Sequence, residues 1–201
     1  AFAMARLPRH FDPALGSVPP HKPRVCMVDK ANALPHAHGL WQRTFKEVAA
    51  EAAHQGIAAS HLYVDVAAME FVRAPKRFDV VVASNLFGDI LTDLGAALAG
   101  GLGLAASGNI HPGRVSLFEP VHGSAPDIAG RGIANPLAAF LTLAMLLDHV
   151  GRTEAAGRLR QAVRQVVLQG QTTVDLGGSC STAQCGDAAL AALQRPASAS
   201  G

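Results

Sequence analysis

The chain has 201 residues, of which 49% are hydrophobic and 16% charged, and 17 Lys and Arg face 15 Asp and Glu for a formal net charge of +2. That is enough apolar sequence for the core of one domain or parts of two, and the wrong balance for a disordered chain. No Lys/Arg run marks a nucleic-acid or anionic-membrane surface, and the longest apolar run, Pro136–Val150, is too short to cross a bilayer.

Taken in order, Ala1–Leu7 is helix-compatible and carries no basic segment followed by an apolar signal region. It opens on Ala1 rather than Met, so a piece of a longer protein is expected. Pro8–Pro23, broken by Pro13, Gly16, Pro19 and Pro20, reads as an exposed loop. Arg24–Asp29, RVCMVD, is a strand that delivers Lys30 and Asn32 into a loop. Pro35-His36-Ala37-His38, flanked by Pro and Gly, reads as a solvated loop, and Leu40–His54 as an amphipathic helix with Leu40, Phe45, Val48, Ala49 and Ala52 on its apolar face. His61–Asp65, HLYVD, is expected to be a strand ending in an acid, Val66–Val72 a helix, and Phe78–Ser84, FDVVVAS, a strand buried on both faces. The result is a βαβα rhythm in which Lys30, Asp65 and Ser84-Asn85 issue from strand ends, where α/β sites are built.

Ala83–Gly103, ASNLFGDILTDLGAALAGGLG, is expected to hold a helix with Leu86, Ile90, Leu94 and Leu98 as its buried stripe. Asp89 and Asp93 fall four residues apart, beside Leu86. Like charges at that spacing oppose each other, and a divalent cation between them would relieve the repulsion. The same residues also suit a plain solvated helix capped by Ser84-Asn85, and the stretch alone leaves both readings open.

Beyond it, GGLGLAASG at Gly100–Gly108 matches neither a Walker loop nor GxGxxG and reads as a hinge between domains. Val115–Glu119 is a short strand feeding Pro120-Val121-His122-Gly123-Ser124-Ala125-Pro126-Asp127, small and rigid residues that let a ligand approach backbone. Asn135-Pro136 starts an apolar helix that runs to Gly151. Thr153–Gln169 is an amphipathic helix, Thr172–Gly178 a strand and turn, Thr182–Leu193 a last helix, and PASASG a frayed tail. Cys26, Cys180 and Cys185 match no zinc spacing and are expected to be free thiols in a reducing cytosol.

Four stretches carry a resemblance: VDKANAL at Val28–Leu34, YVD at Tyr63–Asp65, NLFGDILTDL at Asn85–Leu94 and EPVHGSAPDIAGRGIANP at Glu119–Pro136. Together, in this order, they resemble the β-decarboxylating dehydrogenases of the isocitrate/isopropylmalate dehydrogenase family, and within it the isopropylmalate branch. The resemblance implies a two-domain α/β fold, here incomplete, with the active site in a cleft. Residues 1–100 would be part of the small domain, which makes the homodimer and carries the metal site; residues 101–201 would be the carboxy-terminal half of the large, NAD-binding domain.

The resemblance assigns roles by motif. Asp65, Asp89 and Asp93 would be the Mg²⁺ or Mn²⁺ ligands, Asp65 reaching the partner's site, and Lys30 would act across the dimer as the base. Asn32 and Asp65 would meet the substrate, a small 2-hydroxy dicarboxylic acid. His122, Gly123, Ser124, Ala125, Asp127, Ile128 and Asn135 would hold the adenosine of NAD, Asp127 accepting from both ribose hydroxyls and repelling a 2′-phosphate.

The chemistry fits these groups: a base for the hydroxyl proton, and a hard, oxygen-ligated cation for the enolate formed as CO₂ leaves. The implied activity is oxidation and β-decarboxylation of 3-isopropylmalate in the cytoplasm, for leucine biosynthesis. A tartrate/D-malate or isocitrate-type enzyme, or a noncatalytic dimerising subunit, is the alternative. The family's substrate-clamping arginines and its tyrosine acid are not among these residues, so these residues alone are expected to be inactive.

Overall fold

The structure, a computed structural model, describes residues 1–5, 22–51, 54 and 56–194. The expectations for Leu7, for the Pro8–Pro23 loop through residue 21, for Ala52 and for the PASASG tail fall outside them. The chain divides into two compact units, Ala1–Gly95 and Ala96–Gly201.

The first unit is built on a three-stranded parallel sheet. Its strands are β1 (Arg24–Asp29), β2 (Ala58–Tyr63) and β3 (Val80–Ala83), in the order β2-β1-β3. Helices α1 (Phe2–Ala5), α2 (Pro35–Ala50), α3 (Val64–Arg73) and α4 (Asn85–Leu98) flank it. Parallel neighbours need crossover connections, and α2 and α3 with its short 3₁₀ extension supply them.

Alternation along β1 sorts the core into two layers. Val25 packs with Phe2, Phe45, Val48, Ala49, Val80 and Val82 of one layer, whereas Cys26 and Val28 meet Ala67, Phe71 and Leu91 of the other. Each Val, Leu or Phe side chain fully withdrawn from water contributes about 1.5–3 kcal/mol. Arg24 anchors the start of the sheet, its Nε donating to Asp79 Oδ2 at 3.2 Å.

Central position, more than composition, sets burial here. β1 is buried from Val25 to Asp29, while FDVVVAS, expected to be covered on both faces, forms the half-buried edge strand β3. HLYVD is also corrected: β2 begins earlier and ends at Tyr63, and Asp65 lies in the first turn of α3. The register pairs Asp29 with Tyr63 and Val28 with Ala83, so Lys30, the start of α3 and Ser84-Asn85 all emerge at one edge of the sheet.

The second unit pairs an antiparallel ribbon, β4 (Ala106–Asn109) with β5 (Leu117–Pro120), with helices α5 (Leu137–His149), α6 (Thr153–Leu168) and α7 (Thr182–Gln194). Leu137, Val163, Val166, Cys185 and Ala189 form its main core. Within the glycine-rich stretch expected to be a hinge, Leu102–Leu104 make a 3₁₀ turn and the strand Ala106–Asn109 begins. Small residues are needed there because a Cβ on Gly108 would sit 3.0 Å from the Phe118 ring. Thr172–Gly178 forms no strand. The Thr173 carbonyl accepts from both Leu176 and Gly178, winding the segment into a 3₁₀ turn over Val174–Leu176. All three cysteines are free, and no described helix is long and apolar enough to cross a membrane.

Candidate active site

Asp29 closes β1 with its side chain buried. Its Oδ1 accepts the Ala31 N–H at 3.0 Å and lies 3.1 Å from His61 Nε2 on the neighbouring strand. Burial pushes this carboxyl's pKa up, but the Ala31 amide, His61 and Gln42 together outweigh it and hold the pKa below the ordinary value. Asp29 therefore fixes the turn that follows, in which the Lys30 carbonyl accepts from Ala33 and Leu34 at 3.0 and 2.8 Å.

That turn presents Lys30, whose Nζ lies 2.9 Å from Asp65 Oδ1 and 5.9 Å from the centre of the Tyr63 ring. The hydrogen bond from Lys30 leads the causes that hold the Asp65 carboxyl below its usual pKa, so it stays ionised at neutral pH. The pair is reachable from solvent, the Asp65 side chain being 62% exposed. Asn32 is exposed in the same turn.

The expected PHAH loop is the first turn of α2, with Pro35 at a position where a helix tolerates proline. His38 is buried rather than solvated, and its Nδ1 accepts the Lys30 N–H at 3.1 Å. Asp29, His38 and His61 are the residues that sequence reasoning missed.

On α4 the wheel places Asp89 and Asp93 correctly beside Leu86 and Ile90, but this face is the exposed one. Leu86 is 65% and Ile90 57% exposed, against 2% for Leu91. The buried face runs through Gly88, Leu91, Leu94 and Gly95, with a Gly95 Cβ position 3.5 Å from Phe71. Asp89 and Asp93 are thus solvent-facing carboxylates one turn apart. Among the described residues no three His, Cys, Asp or Glu of one chain form a group able to hold a metal.

In the second unit His122, Gly123, Ser124, Ala125 and Asp127 are exposed and Ile128 is half-buried. Ala125 has a left-handed backbone, φ 45°, just before the Pro126–Ile128 3₁₀ turn. Such a conformation costs about 1–3 kcal/mol in a non-glycine residue, and strain of this kind gathers at binding loops. Asn135 is held at both ends. Its Oδ1 accepts the Leu137 N–H and its Nδ2 donates to Asp175, both at 2.9 Å, and a Cβ on Gly103 would strike both side chains.

The family model for isocitrate/isopropylmalate dehydrogenase matches residues 10–189. The chain belongs to this family. It is 52% identical over 171 residues to the 3-isopropylmalate dehydrogenase of Thermobifida fusca, covering 84% of this chain and 46% of that relative. It is equally 52% identical over 165 residues to the isocitrate/homoisocitrate dehydrogenase of Thermus thermophilus, covering 82% and 48%. Among solved structures, isocitrate dehydrogenase from Methylococcus capsulatus matches with a TM-score of 0.81 at 46% identity, over 86% of this chain and 51% of that one. A β-decarboxylating dehydrogenase from Thermococcus kodakarensis matches with a TM-score of 0.76 at 38% identity, over 96% and 52%. The chain spans about half the length of the curated relatives it matches.

Proposed function

We propose that these residues serve an NAD-dependent, metal-dependent 3-isopropylmalate dehydrogenase, a cytoplasmic homodimer of leucine biosynthesis whose active sites are shared between subunits. Residues 1–100 carry the dimerisation and metal-site part, and residues 101–201 the dinucleotide-binding part. One observation carries the reading: Lys30 and Asp65 meet at 2.9 Å at the sheet edge, while Asp89 and Asp93 stand on a separate helix and join no third ligand among the described residues of one chain. We read a site that uses all four groups as one that draws on two chains. The exposed Leu86 and Ile90 beside the acids, with Met69 and Val72 on α3, provide apolar surface for that association.

The donor set of Asp65, Asp89 and Asp93 is oxygen-only and anionic, which fits Mg²⁺ or Mn²⁺ and not a soft metal. When bound, the cation supplies charge stabilisation to the substrate oxygen as CO₂ departs, and NAD accepts the hydride. Lys30 takes the hydroxyl proton, directly or through water, and Asp65 steadies its ammonium. Asn32 contributes to substrate binding. His122, Gly123, Ser124, Ala125, Asp127, Ile128 and Asn135 hold the adenosine, with Asp127 selecting NAD over NADP.

A second reading, an isocitrate-type or tartrate/D-malate enzyme, draws on the equal identity to the isocitrate/homoisocitrate relative. The test is turnover by the protein as its gene encodes it, on 3-isopropylmalate, isocitrate, homoisocitrate, tartrate and D-malate in parallel. The expected result is NADH from 3-isopropylmalate, abolished by EDTA and restored by Mg²⁺ or Mn²⁺. Faster turnover of another acid transfers the reading to that acid. No turnover of any, with Mg²⁺ binding unmoved by Asp89→Asn, marks a noncatalytic subunit. The 201-residue chain alone should form no NADH from 3-isopropylmalate, and a measurable rate contradicts that expectation.

A further inference from the structure

His38 takes no part in the function proposed above, yet it is buried against the turn that presents Lys30. It is only 9% exposed, and its Nδ1 accepts the backbone N–H of Lys30 at 3.1 Å. A nitrogen that accepts carries no proton, so the neutral ring holds its hydrogen on Nε2. The ring also packs on Phe87 of α4, centroids 5.3 Å apart. One side chain thus touches both the turn that presents Lys30 and the helix that carries Asp89 and Asp93.

We infer that His38 is a positioning residue for Lys30. Its Nδ1 fixes the Lys30 amide from one side while the Asp29 carboxylate fixes the Ala31 amide from the other, and Phe87 fixes the ring. The backbone of Lys30 is then held by Nδ1 at its N–H and by the Ala33 and Leu34 amides at its carbonyl, while its side chain reaches Asp65 at 2.9 Å. A base must meet the proton it removes within hydrogen-bond reach, and an ångström of displacement costs much of the rate. Under the shared-site reading, on which this inference rests, the His38–Phe87 contact also lies between the base a chain lends to its partner and the acids it keeps.

His38→Leu and His38→Asn make a matched pair of similar size. Leu fills the space with no acceptor, whereas Asn restores an acceptor at the Nδ1 position. In the protein as its gene encodes it, His38→Leu is expected to speed amide hydrogen exchange in the segment from Lys30 to Leu34 by about tenfold, the equivalent of one lost hydrogen bond. It is expected to lower kcat by about tenfold with little change in substrate KM. His38→Asn should return both quantities to within about threefold of the unmodified protein. Equal losses in the two variants, a change in KM without kcat, or unchanged amide exchange in His38→Leu would overturn the inference. Turnover surviving in Lys30→Met would instead sink the reading of Lys30 as base, while the exchange measurement would still report on His38.

Discussion

Asp29 shows how much the turn that presents Lys30 depends on a fully buried carboxylate. It is a buried carboxylate whose Oδ1 serves the Ala31 amide and His61, and its folded pKa lies below the ordinary value of about 3.9. A carboxyl depressed on folding stabilises the fold fully above its unfolded pKa and loses that contribution as pH falls through the lower, folded value. Asp29→Ala leaves the Ala31 N–H and His61 without their acceptor and is expected to cost about 1–3 kcal/mol in urea unfolding at pH 7. Asp29→Asn keeps an acceptor oxygen and should lose less at pH 7, with a shallower fall in stability between pH 5 and the folded pKa. A loss as large as that of alanine would show that the charge and not the acceptor is what the turn requires. The place of Lys30 and Asn32 after a strand was legible in the sequence, because polar residues directly after apolar β-formers mark a sheet edge; Asp65, expected as a strand's last residue, lies in the first turn of α3. Asp29 and His38 were not: nothing in RVCMVD marks its last residue as buried, and HAH after Pro35 reads as a loop. Burial of both comes from neighbours distant in sequence, His61 for the one and Phe87 for the other.

Among the elements, α4 is the most instructive because it has two apolar stripes. Leu86 and Ile90 are exposed beside Asp89 and Asp93, while Leu91 is buried against the sheet layer of Cys26, Val28 and Ala67. Hydrophobicity alone does not choose between the stripes. The choice comes from the neighbours: Leu91 meets Cys26, Val28 and Ala67, and a Cβ at Gly95 on the same side would lie in ordinary contact with Phe71, 3.5 Å away. Leu91→Ala is expected to destabilise the protein by about 2–5 kcal/mol, measured as a lower urea midpoint. Ile90→Glu, by contrast, should leave the circular dichroism spectrum intact and shift sedimentation toward a smaller species. An unchanged sedimentation coefficient would remove this face from the proposed interface. FDVVVAS teaches the same lesson for strands: its run of valines promised a central strand, but the sheet order puts RVCMVD in the middle.

For the molecule as a whole, the sequence carried the α/β class, the order of most elements and the family, since each local pattern agreed with the fold around it. Strand order and the choice of buried helix face were beyond it, because both follow from which elements meet. The claim that organises the whole is that one chain lends Lys30 and Asp65 to a site completed by Asp89 and Asp93 of another, and subunit mixing tests it most directly. Lys30→Met and Asp89→Asn proteins, each inactive alone, are denatured together and refolded. If the groups act across the dimer, random pairing makes half the dimers mixed and leaves one sound site in each of these, so about a quarter of the unmodified activity returns. If Lys30 and Asp89 serve the same site from one chain, every site in the mixture carries a lesion, and the absence of any recovered activity would contradict the shared site.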